Sequence, residues 1–255
     1  MILDIGSGHK PYKQADILLE NYSSGNEHRW GQDIVTDRPT ILYNGDFFPF
    51  KDKAFDFSTS FHVLEHVDHP DKFLEEIERI SKAGYIETPS EIAELVFTPY
   101  DKHKWIIYND SGKLIIKKKL IENTSKLGKL FDYLCDNEHG FNDYFYFKRK
   151  SLFFVEYYWK NKINYQIVDA SEENFNNLYD DKTLKKLSTR NRISNSIKTH
   201  FKYHAKTLSE VLLFLEKNII TPCCKTGVLH KQNDFICKSC SREYSIQGKK
   251  IFLIP

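Results

Sequence analysis

The sequence predicts an α/β protein built on a mainly parallel sheet with helices packed against it. Three observations carry that reading. Short apolar runs of strand length recur through the first hundred residues, and an amphipathic helical pattern joins two of them. The first run leads straight into Gly6-Ser7-Gly8, a turn that lets backbone approach a ligand closely. Beyond about Thr98 the texture changes to β-branched and aromatic runs split by turn residues, which adds β-hairpins and a small C-terminal ribbon.

Taken in order, Ile2–Ile5 is the first strand, with Asp4 placing a carboxylate near its end. Ala15–Glu20 is the second and ends in an acid. Ile41–Asn44 is the third and runs into Gly45-Asp46. Phe55–Phe61 and Gly84–Thr88 are the fourth and fifth. Between these two, HPDKFLEEIERISKAG sets Phe73, Leu74, Ile77 and Ile80 at helical spacing, starts acidic and has Gly84 as its stop. The links from Gly6 to Ala15 and from Asn21 to Asn26 read as loops. HKWIIYNDSGKLIIKKK predicts a hairpin around Asp110-Ser111-Gly112, and LFFVEYYWKNKINYQIVDA a second around Lys160-Asn161-Lys162. Ser171 to Thr199 is polar and Asn/Lys-rich, helical or loose. KTLSEVLLFLEKN is an amphipathic helix capped near Thr207 or Ser209. The organisation is therefore residues 1–170, a helical and basic segment 171–220, and a tail 221–255.

At 255 residues the chain can bury one large core, or one core plus a small module. Its 40% hydrophobic and 28% charged content excludes a disordered protein. No stretch reaches the roughly 18–20 apolar residues of a membrane span, and no basic region followed by an apolar core marks a signal peptide. Four of the five cysteines fall between Cys223 and Cys240, which is no extracellular disulfide framework and fits a reducing cytoplasm. Charge is uneven. Residues 1–100 carry 9 Lys/Arg against 18 Asp/Glu, and residues 101–206 carry 21 against 13. Either the middle is a lysine-rich solvated surface, or it faces an anionic partner such as RNA, a phosphorylated glycan or a lipid head group.

As a set, Asp4-x-Gly6-x-Gly8, Glu20 at the end of the second run, Gly45-Asp46-Phe47, and FPFKDKAFDFSTSFHVLEHVDHPDKFLEEIERISKAGYIETPS resemble the class I S-adenosylmethionine-dependent methyltransferases. The resemblance covers residues 1 to about 90 and implies a Rossmann-like sheet with S-adenosyl-L-methionine as cofactor. It implies that Gly6 and Gly8 turn the backbone under the cofactor's methionine end, and that Asp4 lies near its amino group. Glu20 would accept from both ribose hydroxyls, with Asp16 as a rival in the same run. Asp46 would take the adenine amine with Phe47 against the ring, and Ser60 and Phe61 would end the fourth strand on the rim. His9-Lys10-Pro11 replaces the usual third glycine, and no helix precedes the first strand. The cofactor pocket is therefore expected to draw cover from another segment or from the second subunit of a homodimer.

On the acceptor side, His62 is the first candidate for a general base or acceptor-orienting group, because imidazole titrates near neutrality. His66 and His103 are further candidates. Structural roles for His62 and His66, hydrogen-bonded to backbone, stand beside this reading. A metal held by His62 and His66 suits the spacing but has no obvious third ligand. Trp105 either stacks on an acceptor or belongs to the core. The expected reaction is methyl transfer to oxygen or nitrogen of a polar acceptor, anionic or neutral, whether glycan, RNA or small metabolite. The absence of an Asn/Asp-Pro-Pro-Tyr/Phe motif weighs against nucleobase-amine chemistry. The alternative is a catalytically inactive member acting as a binding or scaffold module.

The tail TPCCKTGVLHKQNDFICKSCSREYSIQGKKIFLIP resembles the small zinc-ribbon unit found alone as a methyltransferase activator or fused to methyltransferases. Leu229, Cys237-x-x-Cys240, Tyr244, Ile246, Gly248 and the IFLIP end carry the match. It implies zinc held by Cys223, Cys224, Cys237 and Cys240. Thr221 stands where the first cysteine belongs, adjacent cysteines make an awkward knuckle, and His230 is a substitute ligand. Bound zinc and a metal-free ribbon both remain open.

Overall fold

The computed structural model of the chain describes residues 1–21, 31–44, 47–97, 102–119, 127–168 and 205–254. Gly45, Asp46 and the whole Asn/Lys-rich segment lie outside the described residues. The strands are β1 (Ile2–Ile5), β2 (Ile17–Asn21), β3 (Thr40–Tyr43), β4 (Phe57–Phe61), β5 (Ala83–Pro89), β6 (Trp105–Asp110), β7 (Lys113–Lys118), β8 (Phe154–Lys160), β9 (Tyr165–Val168), β10 (Val228–Lys231), β11 (Asp234–Cys237), β12 (Glu243–Gln247) and β13 (Lys250–Leu253). The principal helices are α1 (Pro70–Ile80), α2 (Glu91–Val96) and α3 (Gly128–Asn137). Short helical turns α4 (Phe141–Asp143) and α5 (Lys150–Phe153) follow, and α6 (Leu208–Asn218) leads into the tail.

Ten strands form one sheet in the order β10-β11-β12-β13-β3-β2-β1-β4-β5-β8. β1 pairs parallel with β2 and with β4, β2 with β3, and β4 with β5. The order reverses between β1 and β4, which is the position where open α/β sheets bind ligands at the carboxyl ends of their strands. β3 is buried throughout, and β1 and β2 nearly so, as expected of parallel strands covered on both faces. Helix α1 buries Leu74, Ile77 and Ile80 against them. The helix ends at Ile80, so Gly84 is not its stop but a residue of β5. A Cβ on Gly84 would meet the Ser58 carbonyl oxygen at 2.6 Å and Trp159 Nε1 at 2.7 Å. Glycine is needed there because β8 brings an indole directly over the strand.

The hairpin around Ser111-Gly112 forms as expected, β6 pairing antiparallel with β7. Ser111 and Gly112 both adopt positive φ, the conformation a tight hairpin turn requires. The second expected hairpin does not form. β8 instead pairs antiparallel with the edge of β5 over seven residues, from Ala83↔Lys160 to Pro89↔Phe154, and β9 pairs parallel with β7 in a separate three-stranded sheet. The open edge of β5 offers β8 a longer ladder than its own neighbour could. Helix α6 carries a complete capping box, Thr207 accepting from the Glu210 backbone while Glu210 accepts from the Thr207 N–H.

The tail is continuous with the main sheet. β13 pairs parallel with β3 from Lys250↔Thr40 to Leu253↔Tyr43, and β10 to β13 form an antiparallel meander outward from it. Phe235, Tyr244, Ile251 and Leu253 belong to the same buried cluster as Leu3, Ile17 and Ile41. Among the described residues, no helix is long and apolar enough to cross a membrane.

Candidate active site at the carboxyl ends of the strands

Gly6 follows β1 at φ +67°, and a Cβ there would lie 2.6 Å from Val63 Cγ2. Glycine is therefore required at this point both by backbone conformation and by the close approach of the β4 loop. Gly8 also has positive φ. Glu20, buried at the end of β2, closes the turn: its Oε1 accepts from Ser7 Oγ at 2.5 Å and from the Gly8 N–H at 2.8 Å. Asp4 is fully buried and accepts from the Tyr12 N–H and from Thr59 Oγ1, both at 2.7 Å. Desolvation outweighs these bonds and pushes its carboxyl from the ordinary 3.8 up to about 6. Asp16 sits at the other end of the sheet, where its carboxylate accepts from the Ile2 N–H. That position removes it as a rival to Glu20.

Across the switch point, β4 ends in Ser60, Phe61 and His62. Ser60 is buried, and Phe61 packs between Tyr12 and Tyr85 at ring centroid distances of 6.0 and 5.3 Å. His62 has a φ of +56°, unusual for a residue with a side chain. Its N–H donates to the Glu87 carbonyl at 2.8 Å, which holds that conformation. The ring is half-buried, with Nδ1 3.4 Å from Glu65 Oε1 and Nε2 3.8 Å from Glu87 Oε1. Desolvation acts to lower the His62 pKa, but Glu65 and Glu87 outweigh it and hold the imidazole above its usual range. Glu87 in turn pairs with Lys150 Nζ at 2.6 Å, and Glu156 accepts from the same ammonium at 3.1 Å.

Residues 63–67 form a turn rather than the start of a helix, yet they still bring His66 against His103. His66 Nδ1 lies 3.1 Å from the Lys102 carbonyl, and its ring stands edge-on to His103 at 4.7 Å. His103 Nδ1 is 2.5 Å from Glu94 Oε1, while Lys119 Nζ is 2.5 Å from Glu94 Oε2. Trp105 donates from Nε1 to the Val67 carbonyl at 2.7 Å and packs on the core. Phe47 is flanked by two cations, the Arg79 guanidinium 4.3 Å and the Lys225 ammonium 4.0 Å from its centroid. Its expected adenine neighbour Asp46 is outside the described residues.

In the tail, the sulfurs of Cys223, Cys224, Cys237 and Cys240 all lie within 4.8 Å of one another. The adjacent pair Cys223-Cys224 therefore does reach a common centre. Thr221, in the place of the expected first cysteine, is buried with Oγ1 3.4 Å from Cys237 Sγ. Desolvation acts to raise the Cys237 thiol, but Thr221, Thr226 and backbone donors outweigh it and bring it down to about 5, favouring thiolate. His230 is no part of this group. Its ring packs on Phe235 at 5.2 Å, and its N–H donates to Glu216 of α6.

Sequence reasoning undervalued the carboxylates and lysines behind these side chains. Glu65, Glu87 and Glu94 are buried polar groups, and Lys119 and Lys150 come from short basic runs that looked like surface charge. Glu65, three residues after His62 and adjacent to His66, was the available signal; for His103 the sequence offers none, because Glu94 lies nine residues away.

Residues 16–86 match the methyltransferase domain family. An uncharacterized protein of Methanocaldococcus jannaschii is 32% identical over 94 residues, which span 34% of this chain and 44% of that protein. Among solved structures, a complex between the Haloferax volcanii Trm112 methyltransferase activator and a protein described as a methyltransferase aligns at 23% identity and TM-score 0.26. That alignment covers 34% of this chain and 44% of the other. An S-adenosylmethionine-dependent methyltransferase from Mesorhizobium loti aligns at 13% identity and TM-score 0.28, over 74% of this chain and 72% of that one. With the strand order and the glycine turn, the family match gives the conclusion that this chain carries a Rossmann-like α/β methyltransferase fold.

Proposed function

We propose that the chain is an S-adenosylmethionine-dependent methyltransferase acting on oxygen or nitrogen of a polar acceptor such as a glycan, RNA or small metabolite. One observation carries the reading. A carboxylate-closed glycine turn after β1 faces, across the switch point, an imidazole held between two buried carboxylates after β4. The donor set fits the cofactor. Asp4 is a buried, desolvated acid, suited to an ammonium group, and Glu20 ends β2 where an acid receives ribose hydroxyls. The cofactor supplies an electrophilic methyl group on a positively charged sulfur. Gly6 and Gly8 admit backbone contact, Phe61 closes the apolar side, and His62 orients the acceptor and takes its proton as the new bond forms. The cysteine cluster is suited to a structural zinc ion, four thiolates being a tetrahedral zinc set, so the tail reads as a built-in activator-like ribbon. A polar acceptor matches the charged groups around His62.

Calorimetric titration with S-adenosylmethionine, then turnover with labelled methyl donor against glycan, RNA and metabolite pools, tests the proposal. Binding without turnover on any pool would instead favour the scaffold alternative. Glu20→Ala should weaken cofactor binding by about 1.5–3 kcal/mol through loss of a charged acceptor. Ser7→Ala, which removes a turn bond and leaves the carboxylate, should cost much less. Equal losses in the two variants would assign Glu20 to shaping the turn alone.

Asp4 makes a pH-dependent prediction. Its folded-state pKa of about 6 lies above the ordinary 3.8, so the folded chain holds that proton more tightly than the unfolded chain. The stabilisation it contributes is fully present below about pH 4 and is lost as pH rises through about 6. Relative to Asp4→Asn, the wild type should lose on the order of 3 kcal/mol of stability across that range. Denaturant unfolding of both proteins at several pH values measures the gap, and a constant gap would refute the assignment. Cofactor affinity should rise over the same range, because the bound ammonium favours ionised Asp4.

A further inference from the structure

Glu65 is the least explained polar side chain in the structure. It is 1% exposed, and neither carboxylate oxygen has a hydrogen-bond partner. A buried carboxylate without donors is strongly disfavoured unless a cation compensates it. His62 Nδ1 approaches Oε1 to 3.4 Å without making a hydrogen bond. His66 Nε2 lies 4.0 Å from the same oxygen.

The two imidazoles beside it are oriented by their other ring nitrogens. His66 Nδ1 faces the Lys102 carbonyl, an acceptor only, so that nitrogen carries the proton and Nε2 presents a lone pair. His103 Nδ1 faces the Glu94 carboxylate, and Lys119 neutralises the far oxygen of that carboxylate. A histidine whose second nitrogen is held by a backbone carbonyl or a carboxylate is the usual arrangement around a metal ligand. Ligand atoms of Glu65, His66 and His103 all lie within 4.8 Å of one another. Bonds of about 2.0–2.2 Å would bring them to roughly 3–3.5 Å, a side-chain adjustment of about an ångström.

We propose that Glu65, His66 and His103 form a binding site for a divalent first-row transition metal, next to His62 on the acceptor side. Two imidazoles and one carboxylate favour zinc, manganese or iron(II) over magnesium or calcium, and leave coordination positions open. Those positions suit an acceptor oxygen, which the cation would orient and make more acidic. This role in the reaction rests on the methyl-transfer reading; metal binding itself does not. Of the two histidines considered together in the sequence, only His66 belongs to this group, and Glu65 and, from beyond β5, His103 complete it.

Manganese separates this site from the tail, because thiolates are a poor match for it. Full-length protein titrated with manganese(II) and followed by electron paramagnetic resonance should bind one equivalent. Glu65→Gln and His103→Ala should each weaken binding at least about tenfold. Manganese should also raise the melting temperature of the wild type and leave that of Glu65→Gln unchanged, so a variant that folds less well is still informative. Equal binding by wild type and Glu65→Gln, or no binding by the wild type, would overturn the proposal and leave Glu65 as the partner of protonated His62. Metal bound with no methyl transfer to any acceptor would leave this site standing and count against the catalytic reading alone.

Discussion

His62→Ala is expected to lower turnover by about 10²–10⁴-fold while leaving S-adenosylmethionine affinity nearly unchanged. The ring stands after β4, opposite the glycine turn, with a buried glutamate near each nitrogen. Those carboxylates keep it in place and favour its protonated form, the state it reaches on taking the acceptor's proton. Its backbone sits at φ +56°, so alanine adds a conformational cost of about 1 kcal/mol that has nothing to do with chemistry. Asparagine tolerates that conformation, and His62→Asn is the matched control. Single-turnover rates with labelled cofactor, set beside calorimetric affinities, separate the two effects. A His62→Asn protein with normal turnover would assign this residue to shaping the loop.

Removing the tail before Thr221 should cost the whole protein its solubility, not just the ribbon. Phe235, Tyr244, Ile251 and Leu253 are each at most 1% exposed and share one core with β1 to β3. At about 1.5–3 kcal/mol for each large buried apolar side chain, their loss rivals the roughly 5–15 kcal/mol that stabilises a typical domain. Truncation would also strip β13 from β3, exposing an unpaired edge on a strand that is buried throughout, of the kind that aggregates. If the four cysteines hold the proposed zinc, chelation should act in the same direction, because a small ribbon that binds metal draws folding energy from it. Sedimentation and circular dichroism of truncated and chelator-treated protein measure both effects. A truncated chain that stays monomeric, with an unchanged melting temperature, would show that the two parts are energetically independent. Elemental analysis giving no zinc would leave packing against β3 as the whole basis of tail stability.

The glycine-turn side of the candidate site was legible because local chemistry dictates it. A carboxylate, two glycines and an acid closing the next strand are meaningful at fixed short spacings, and the parallel order places them at one edge. The amphipathic pattern of α1 and the Ser111-Gly112 turn were legible for the same reason: 3.6-residue periodicity and positive φ are properties of a few neighbouring residues. The histidine side was less so. Glu94 meets His103 across nine residues and Lys119 across twenty-five, and Glu87 meets Lys150 across sixty-three. Nothing in a short basic run says which lysine will be drawn inward by a buried carboxylate.

By itself, then, the sequence determined the strand and helix segments of the first ninety residues, the glycine turn, and the cysteine set of the tail. Only the tertiary structure decided that β8 joins β5 rather than its neighbour, that β13 continues the main sheet through β3, and that Cys223 and Cys224 reach one centre. It also decided that Asp16 serves the far end of β1 while Glu20 serves the turn. The reason is physical. Backbone conformation and periodic burial are set by near neighbours, whereas a strand's partner and a buried charge's counterion are selected by competition among all the edges and cations that the folded chain brings within reach.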